Sequence, residues 1–416
     1  MRRLGPRARL VGTLLWLVMI GALTLTPAPD QVARVAETPW TCLACGDGSS
    51  TDILLNLALF APLGLLLGAQ AWRWLRVALL ACVISATIEI VQGNLLAGRD
   101  ASLSDVLANT LGAIIGWHAV PVLHQAARPT RRFAASATGL LLVITTLLWL
   151  GTGIGLKPSL SQHRPWVGQP LRVWAGHDPF RGRFVEASFD GIGVEDDPLA
   201  SVPPHPDSLD VALVVTSADT TPPARKVSLL RIVDGKGKSQ LSLTARGGDL
   251  LVDFPLRSSR WGFRTPTWSF HDAARIPLAT PWRWQVVREP RSIALHSGAT
   301  GGTAAAERLP LSVGLGWALI HPFAPPVDEQ ARWWTVLWLA SWMAALGWFA
   351  GVQGTRVCVG AGGVAIVAFV LTSLATGLPV HAIEIVALLI GYLPLCLLGA
   401  RTDRVNTKRG ATVPAG

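Results

Sequence analysis

Three pairs of polar side chains interrupt apolar stretches in the first quarter of the chain: Asp52 and Asn56, Glu89 and Gln92, and Asp105 and Asn109. Spacings of four, three and four residues put each pair on one face of a helix. Arg99 and Asp100 stand between the second pair and the third. Carboxylates held close together could act as general acid and base or bind a cation, and the residues alone do not choose. The planar fork of Arg99 suits a phosphate or a carboxylate, such as a lipid diphosphate or a peptide carboxyl terminus; an ordinary headgroup anchor is the plainer role. The plain reading of the whole set is interhelical hydrogen bonding, worth about 1 kcal/mol per bond. Packing alone does not call for three carboxylates and an arginine, so a binding or catalytic site is the sharper expectation, with no catalytic residue assigned.

Membrane helices must position these groups. The 416 residues are 50% hydrophobic and only 15% charged, and the mean hydropathy is +0.41. The net charge of +10 would suggest a nucleic-acid partner in a soluble chain. Here the basic residues flank apolar runs: Arg2, Arg3, Arg7 and Arg9; Arg73 and Arg76; Arg128, Arg131 and Arg132; Arg356; and Arg401, Arg404, Lys408 and Arg409. That is the positive-inside pattern, and it leaves no basic stripe for nucleic acid. Eight runs approach the roughly 20 residues that a crossing needs: 10–27, 53–71, 76–95, 104–123, 134–155, 332–351, 357–377 and 380–400. With the amino terminus inside, the arginine-rich connections are cytoplasmic, both termini are cytoplasmic, and the three polar pairs open to the outer face. The first run also has the form of a cleaved signal peptide, which would leave the remaining topology unchanged. Trp72, Trp74, Trp117, Trp149, Trp333 and Trp334 sit at proposed helix ends, at headgroup depth.

Pro62 and Gly64 predict a bend in the second helix. Gly112 and Gly116 extend the Asp105–Asn109 face as a GxxxG, which lets a neighbouring helix approach closely. Cys82, Cys358 and Cys396 fall in apolar runs and read as small packing residues. Cys42 and Cys45 form a CxxC outside the membrane, where a local disulfide is favoured over zinc; no metal and no other cofactor is expected. Glu384 is a lone acid of structural or interfacial character.

Between the fifth and sixth runs the periodicity changes. Phe184–Phe189, Leu209–Thr216, Lys226–Val233, Ser239–Ala245, Asp249–Phe254 and Trp282–Arg288 are short strand-like stretches punctuated by Asp234-Gly235 and Gly247-Gly248. They predict an extracytoplasmic all-β sandwich of jelly-roll type. The organisation expected is therefore a four-helix bundle over 1–125, a fifth helix over 126–156, the β-domain over 157–327, a three-helix bundle over 328–402 and a tail over 403–416. Trp166, Trp174, Trp261 and Trp268 are candidates for stacking on sugar rings, and also good core residues.

The string Asn56-x3-Phe60-x-Pro62-Leu63-Gly64, then Glu89-x2-Gln92, Arg99 and Asp105-x3-Asn109-x2-Gly112-x3-Gly116, resembles the VanZ-like family over residues 10–125. The family takes its name from a protein linked to resistance to the glycopeptide teicoplanin, so the resemblance implies a membrane protein with a possible antibiotic-resistance link. The β-domain resembles, less sharply, the laminin-G-like or concanavalin-A-like lectin fold, although the glycine-rich closing turn of that fold is not clear. The resulting expectation is a multi-pass protein of the cytoplasmic membrane that recognises or acts on an envelope component at the outer face. Its partners would be the lipid bilayer and an envelope glycan or lipid-linked precursor. The alternative is a non-enzymatic scaffold or glycan-binding protein for envelope or exopolysaccharide assembly.

Overall fold

Leucine- and alanine-rich runs of 19 to 25 residues without charges in their middles are strong helix formers, and in hydrocarbon a helix satisfies every backbone group internally. In a computed structural model of the chain they form α1 (Pro6–Thr24), α2 (Ser49–Gly68), α3 (Trp74–Leu95), α4 (Leu103–Ala127) and α5 (Arg131–Gly155). The short α6 (Arg257–Arg260) and α7 (Gly316–Ile320) follow, and then α8 (Ala331–Val352), α9 (Thr355–Thr376) and α10 (Ala382–Gly410). The structure describes residues 5–26, 40–41, 48–96, 101–161, 163, 165–174, 176–194, 198–199, 209–221, 223–320 and 326–410. Cys42, Cys45, Arg99 and Asp100 lie outside the described residues. Among those described, eight helices are long and apolar enough to cross a membrane, with boundaries within a few residues of the sequence expectation. The last continues as helix beyond its apolar part, which ends at Thr402, to Gly410.

Two compact units emerge, Met1–Ser136 and Ala137–Gly416. In the first, α2 and α4 run side by side at backbone contact. A Cβ at Gly64 would fall on the Ala113 carbonyl, one at Gly112 on Leu57, and one at Gly116 on Ala61. Phe60, Leu63, Leu67, Val77, Ala81, Ile88 and Ala113 form the core. Pro62 lies inside α2, close to Leu59, whose carbonyl oxygen also accepts a 2.9 Å bond from the indole of Trp16 on α1.

The second unit contains two six-stranded antiparallel sheets packed as a β-sandwich region. β1 (Trp166–Pro170), β2 (Gly182–Phe189), β3 (Ile192–Gly193), β4 (Pro198–Leu199), β5 (Leu209–Ser217) and β6 (Val227–Val233) come first. Next are β7 (Ser239–Arg246), β8 (Asp249–Asp253), β9 (Trp268–Phe270), β10 (Pro281–Arg288), β11 (Ser292–Ala299) and β12 (Ala305–Pro310). Strand order is β4-β1-β6-β7-β8-β9 in one sheet and β12-β11-β10-β5-β2-β3 in the other. Gly247 and Gly248, at φ 60° and 96°, make the two-residue turn between β7 and β8 that requires left-handed backbone at both positions. Trp166 and Phe189 meet edge to face across the sheets, their ring centres 5.7 Å apart.

The structure decides between some sequence expectations and, at Trp149 and the Cys358–Cys396 pair, corrects them. Trp166 and Trp268 are core residues, 1% and 0% exposed, because each sits on an inward position of a strand. Trp149 is buried against Phe369 instead of facing lipid at a helix end. Cys358 and Cys396 are paired as a disulfide between α9 and α10, with their Cα atoms 6.2 Å apart. Cys82 is free and half-buried. Glu384 is 2% exposed and accepts a 3.0 Å bond from the backbone N–H of His381, just before α10.

Candidate functional site

The residues with chemical potential in the first unit are organised by α3. Ser85, Glu89 and Gln92 repeat at helical spacing and share one buried face, at 0%, 7% and 7% exposure. Each reaches a different partner. Ser85 Oγ accepts from Asn109 Nδ2 of α4 at 2.8 Å. Glu89 Oε2 accepts from the backbone N–H of Ser102, the residue preceding α4, at 2.6 Å. Gln92 Nε2 donates to the carbonyl of Thr24 in the last turn of α1, at 2.8 Å. Three helices are thereby tied together by one polar stripe.

The electrostatic logic is that of a helix terminus. The first N–H groups of a helix lack internal partners and carry a partial positive charge, so a carboxylate is stabilised there. Glu89 occupies that position at α4. Asp105 sits in the first turn of the same helix, near enough to act electrostatically on Glu89, and its Oδ1 accepts from Ser104 Oγ at 3.3 Å. Ser102 Oγ and Ser104 Oγ are 2.7 Å apart, which extends the hydrogen-bonded chain from the Glu89 cap to Asp105. Asn109 is 2% exposed, and its Oδ1 finds no donor among the described residues.

Glu89, Asp105, Gln92 and Asn109 are thus gathered at one end of the α3–α4 hairpin. Asp52 and Asn56 are half-buried in the first two turns of α2. The backbone register that sets Leu57 against Gly112 and Ala61 against Gly116 places them level with Asp105 and Asn109. Ser85, Ser102, Ser104 and the Thr24 carbonyl were not anticipated. Ser85 was detectable as the residue four before Glu89 on the same face, and Ser102 as a cap-forming residue just before an apolar run.

In the second unit, Trp174 is half-buried, with the guanidinium carbons of Arg231 and Arg172 at 4.1 and 5.3 Å from its ring centre; Trp261 is 46% exposed. Asp249, His271 and Asp272 bring possible metal-ligand atoms within 4.8 Å of one another. Their polar atoms are already engaged: His271 Nδ1 lies 2.9 Å from Asp249, and Arg275 Nε lies 2.8 Å from Asp272.

Residues 13–124 match the VanZ/LLP1 family model. The match takes in most of α1, all of α2 and α3, nearly all of α4, and every polar pair of the candidate site. No curated protein and no solved structure gives a significant match to the chain.

Proposed function

We propose that this VanZ-like membrane protein recognises, through the Glu89–Asp105 end of its α3–α4 hairpin, a polar envelope component at the outer face of the cytoplasmic membrane. The observation that carries the reading is the meeting of two carboxylates and a buried, half-satisfied Asn109 where three helices are joined. Ionisable groups in an apolar bundle are costly, and they gather where a function needs them. Arg99 and Asp100, in the connection between these two helices, would add a fork for a phosphate or carboxylate. Counting spans from a cytoplasmic amino terminus puts this end of the hairpin and the β-region on the outer side, with both termini inside. Cys42 and Cys45 would form a local disulfide on that side. The β-region, with its Arg–Trp174–Arg group, serves as a lectin-like glycan- or protein-binding appendage.

Asp105→Asn tests the reading, because it removes charge while keeping shape. Cells that depend on the protein are assayed for teicoplanin susceptibility and envelope stress, with its membrane level measured in parallel. Loss of the phenotype at normal level supports a recognition site, and an unchanged phenotype refutes it. A second reading, a non-enzymatic scaffold, is favoured by the capping bond of Glu89, which already gives that carboxylate a structural task. Glycan-array binding by the full-length protein in nanodiscs, together with tolerance of Asp105→Asn, would select it.

A further inference from the structure

The chain leaves α5 at Gly155 and enters the β-region through a short linker that forms one wall of a cleft of about 510 Å³. Ser159 and Ser161 of this linker line it together with Lys236 and Lys238 from the turn between β6 and β7 and Arg260 of α6. Ser159 is only four residues past the end of α5, so it lies within about 14 Å of the helix end. Backbone bonds pin the α6 segment to the same place: Arg257 N–H donates to Lys157 O at 2.8 Å, and Ser159 N–H to Pro255 O at 2.9 Å. Trp261 packs beside Gly155 and remains 46% exposed, as aromatic residues do at headgroup depth.

The charge in the cleft is one-sided. Lys236, Lys238 and Arg260 are all exposed. The one carboxylate in the lining, Asp234, is 4% exposed and already held: Oδ1 accepts from the N–H groups of Lys238 and Lys236 at 2.8 and 3.0 Å, and Oδ2 from Gln240 at 3.3 Å. Asp234 therefore shapes the turn that presents the two lysines and leaves the cleft cationic. A cleft of this volume accommodates a small polar ligand, and guanidinium with ammonium groups suits a phosphate.

We propose that this cleft binds the phosphate-bearing headgroup of an anionic lipid from the surrounding bilayer. The assignment needs only that α5 spans a membrane, and it is independent of the reading of the Glu89 end of the bundle.

Delipidated full-length protein in neutral detergent, titrated separately with phosphatidylglycerol, phosphatidylcholine and inorganic phosphate, tests this. Bound lipid is counted by native mass spectrometry and stabilisation is read as the melting midpoint. Phosphatidylglycerol is expected to bind and to raise the midpoint, and the other two are not. The combined Lys236→Gln, Lys238→Gln and Arg260→Gln variant should weaken phosphatidylglycerol binding about tenfold or more, in line with the attraction of each surface cation for anionic lipid. A charge-matched control with Arg225, Lys226 and Arg283 changed to Gln should bind as the parent does, and Arg260→Gln alone should fall between. Equal binding by the combined variant and the control overturns the assignment. So does a midpoint shift by inorganic phosphate equal to that by the lipid.

Discussion

The backbone N–H of Ser102 donates to Glu89 Oε2 over 2.6 Å, joining the start of α4 to a buried position in α3. Removing the acceptor of a buried backbone donor leaves that N–H unsatisfied, at a cost of about 1–3 kcal/mol. Glu89→Ala should therefore lower the melting midpoint of the detergent-solubilised protein by several degrees, while Glu89→Gln, which keeps an acceptor, should cost less than half as much. Equal losses for the two variants would remove the cap from the account of the hairpin.

The α2–α4 contact makes a steric prediction. Gly116→Val would drive a side chain into the Ala61 carbonyl and Gly64→Val into that of Ala113, so the helices would have to separate. Overpacking typically costs about 1–3 kcal/mol, and more where the obstacle is backbone. Both variants should accumulate poorly in the membrane and melt early. Gly139→Val, where a Cβ would meet nothing within 4 Å, is the control and should behave as the parent.

The turn at Asp234 offers a third test. Burial would raise the pKa of this carboxyl, but hydrogen bonds from the Ser161 hydroxyl and the N–H groups of Lys238 and Lys236 outweigh it and hold the group below its ordinary value. A depressed carboxyl pKa contributes stability that is complete above the unfolded value of about 3.9 and is lost as pH falls through the folded value. Asp234→Asn should destabilise the β-region at neutral pH by about 1–3 kcal/mol. It should also shrink the loss of midpoint that the parent shows below about pH 4. A variant as stable as the parent at pH 7 would contradict the arrangement.

The long helices were legible because a bilayer demands about twenty apolar residues in a row, a signal that needs no knowledge of neighbours. The β6–β7–β8 meander was legible for a similar reason, with alternating β-branched and leucine residues broken by Asp234-Gly235 and Gly247-Gly248. β11, with the composition Ser-Ile-Ala-Leu-His-Ser-Gly-Ala, was not, since its small and polar residues are weak strand formers; pairing with β10 and β12 makes it a strand. The polar pairs could be placed on helical faces, but the partner of each could not. Glu89 meets a backbone N–H, which leaves no mark in side-chain spacing, and the Cys358–Cys396 pairing depends on how α9 and α10 pack.

His177 supplies the last prediction, a pH dependence near neutrality. Burial is the largest influence on its imidazole, and the cations of Lys226 and Arg231 act in the same direction, so its pKa lies below the ordinary 6.5. The folded state then resists protonation while the unfolded chain accepts a proton near pH 6.5. Stability from this residue is complete above that value and falls as pH drops through it. The melting midpoint of the β-region should therefore decline as pH falls through about 6.5. His177→Gln should flatten that part of the profile, and Lys226→Gln should make the decline shallower, because relieving one repulsion brings the folded pKa back toward the unfolded one. A His177→Gln profile that superimposes on the parent throughout would show that the decline belongs to another group.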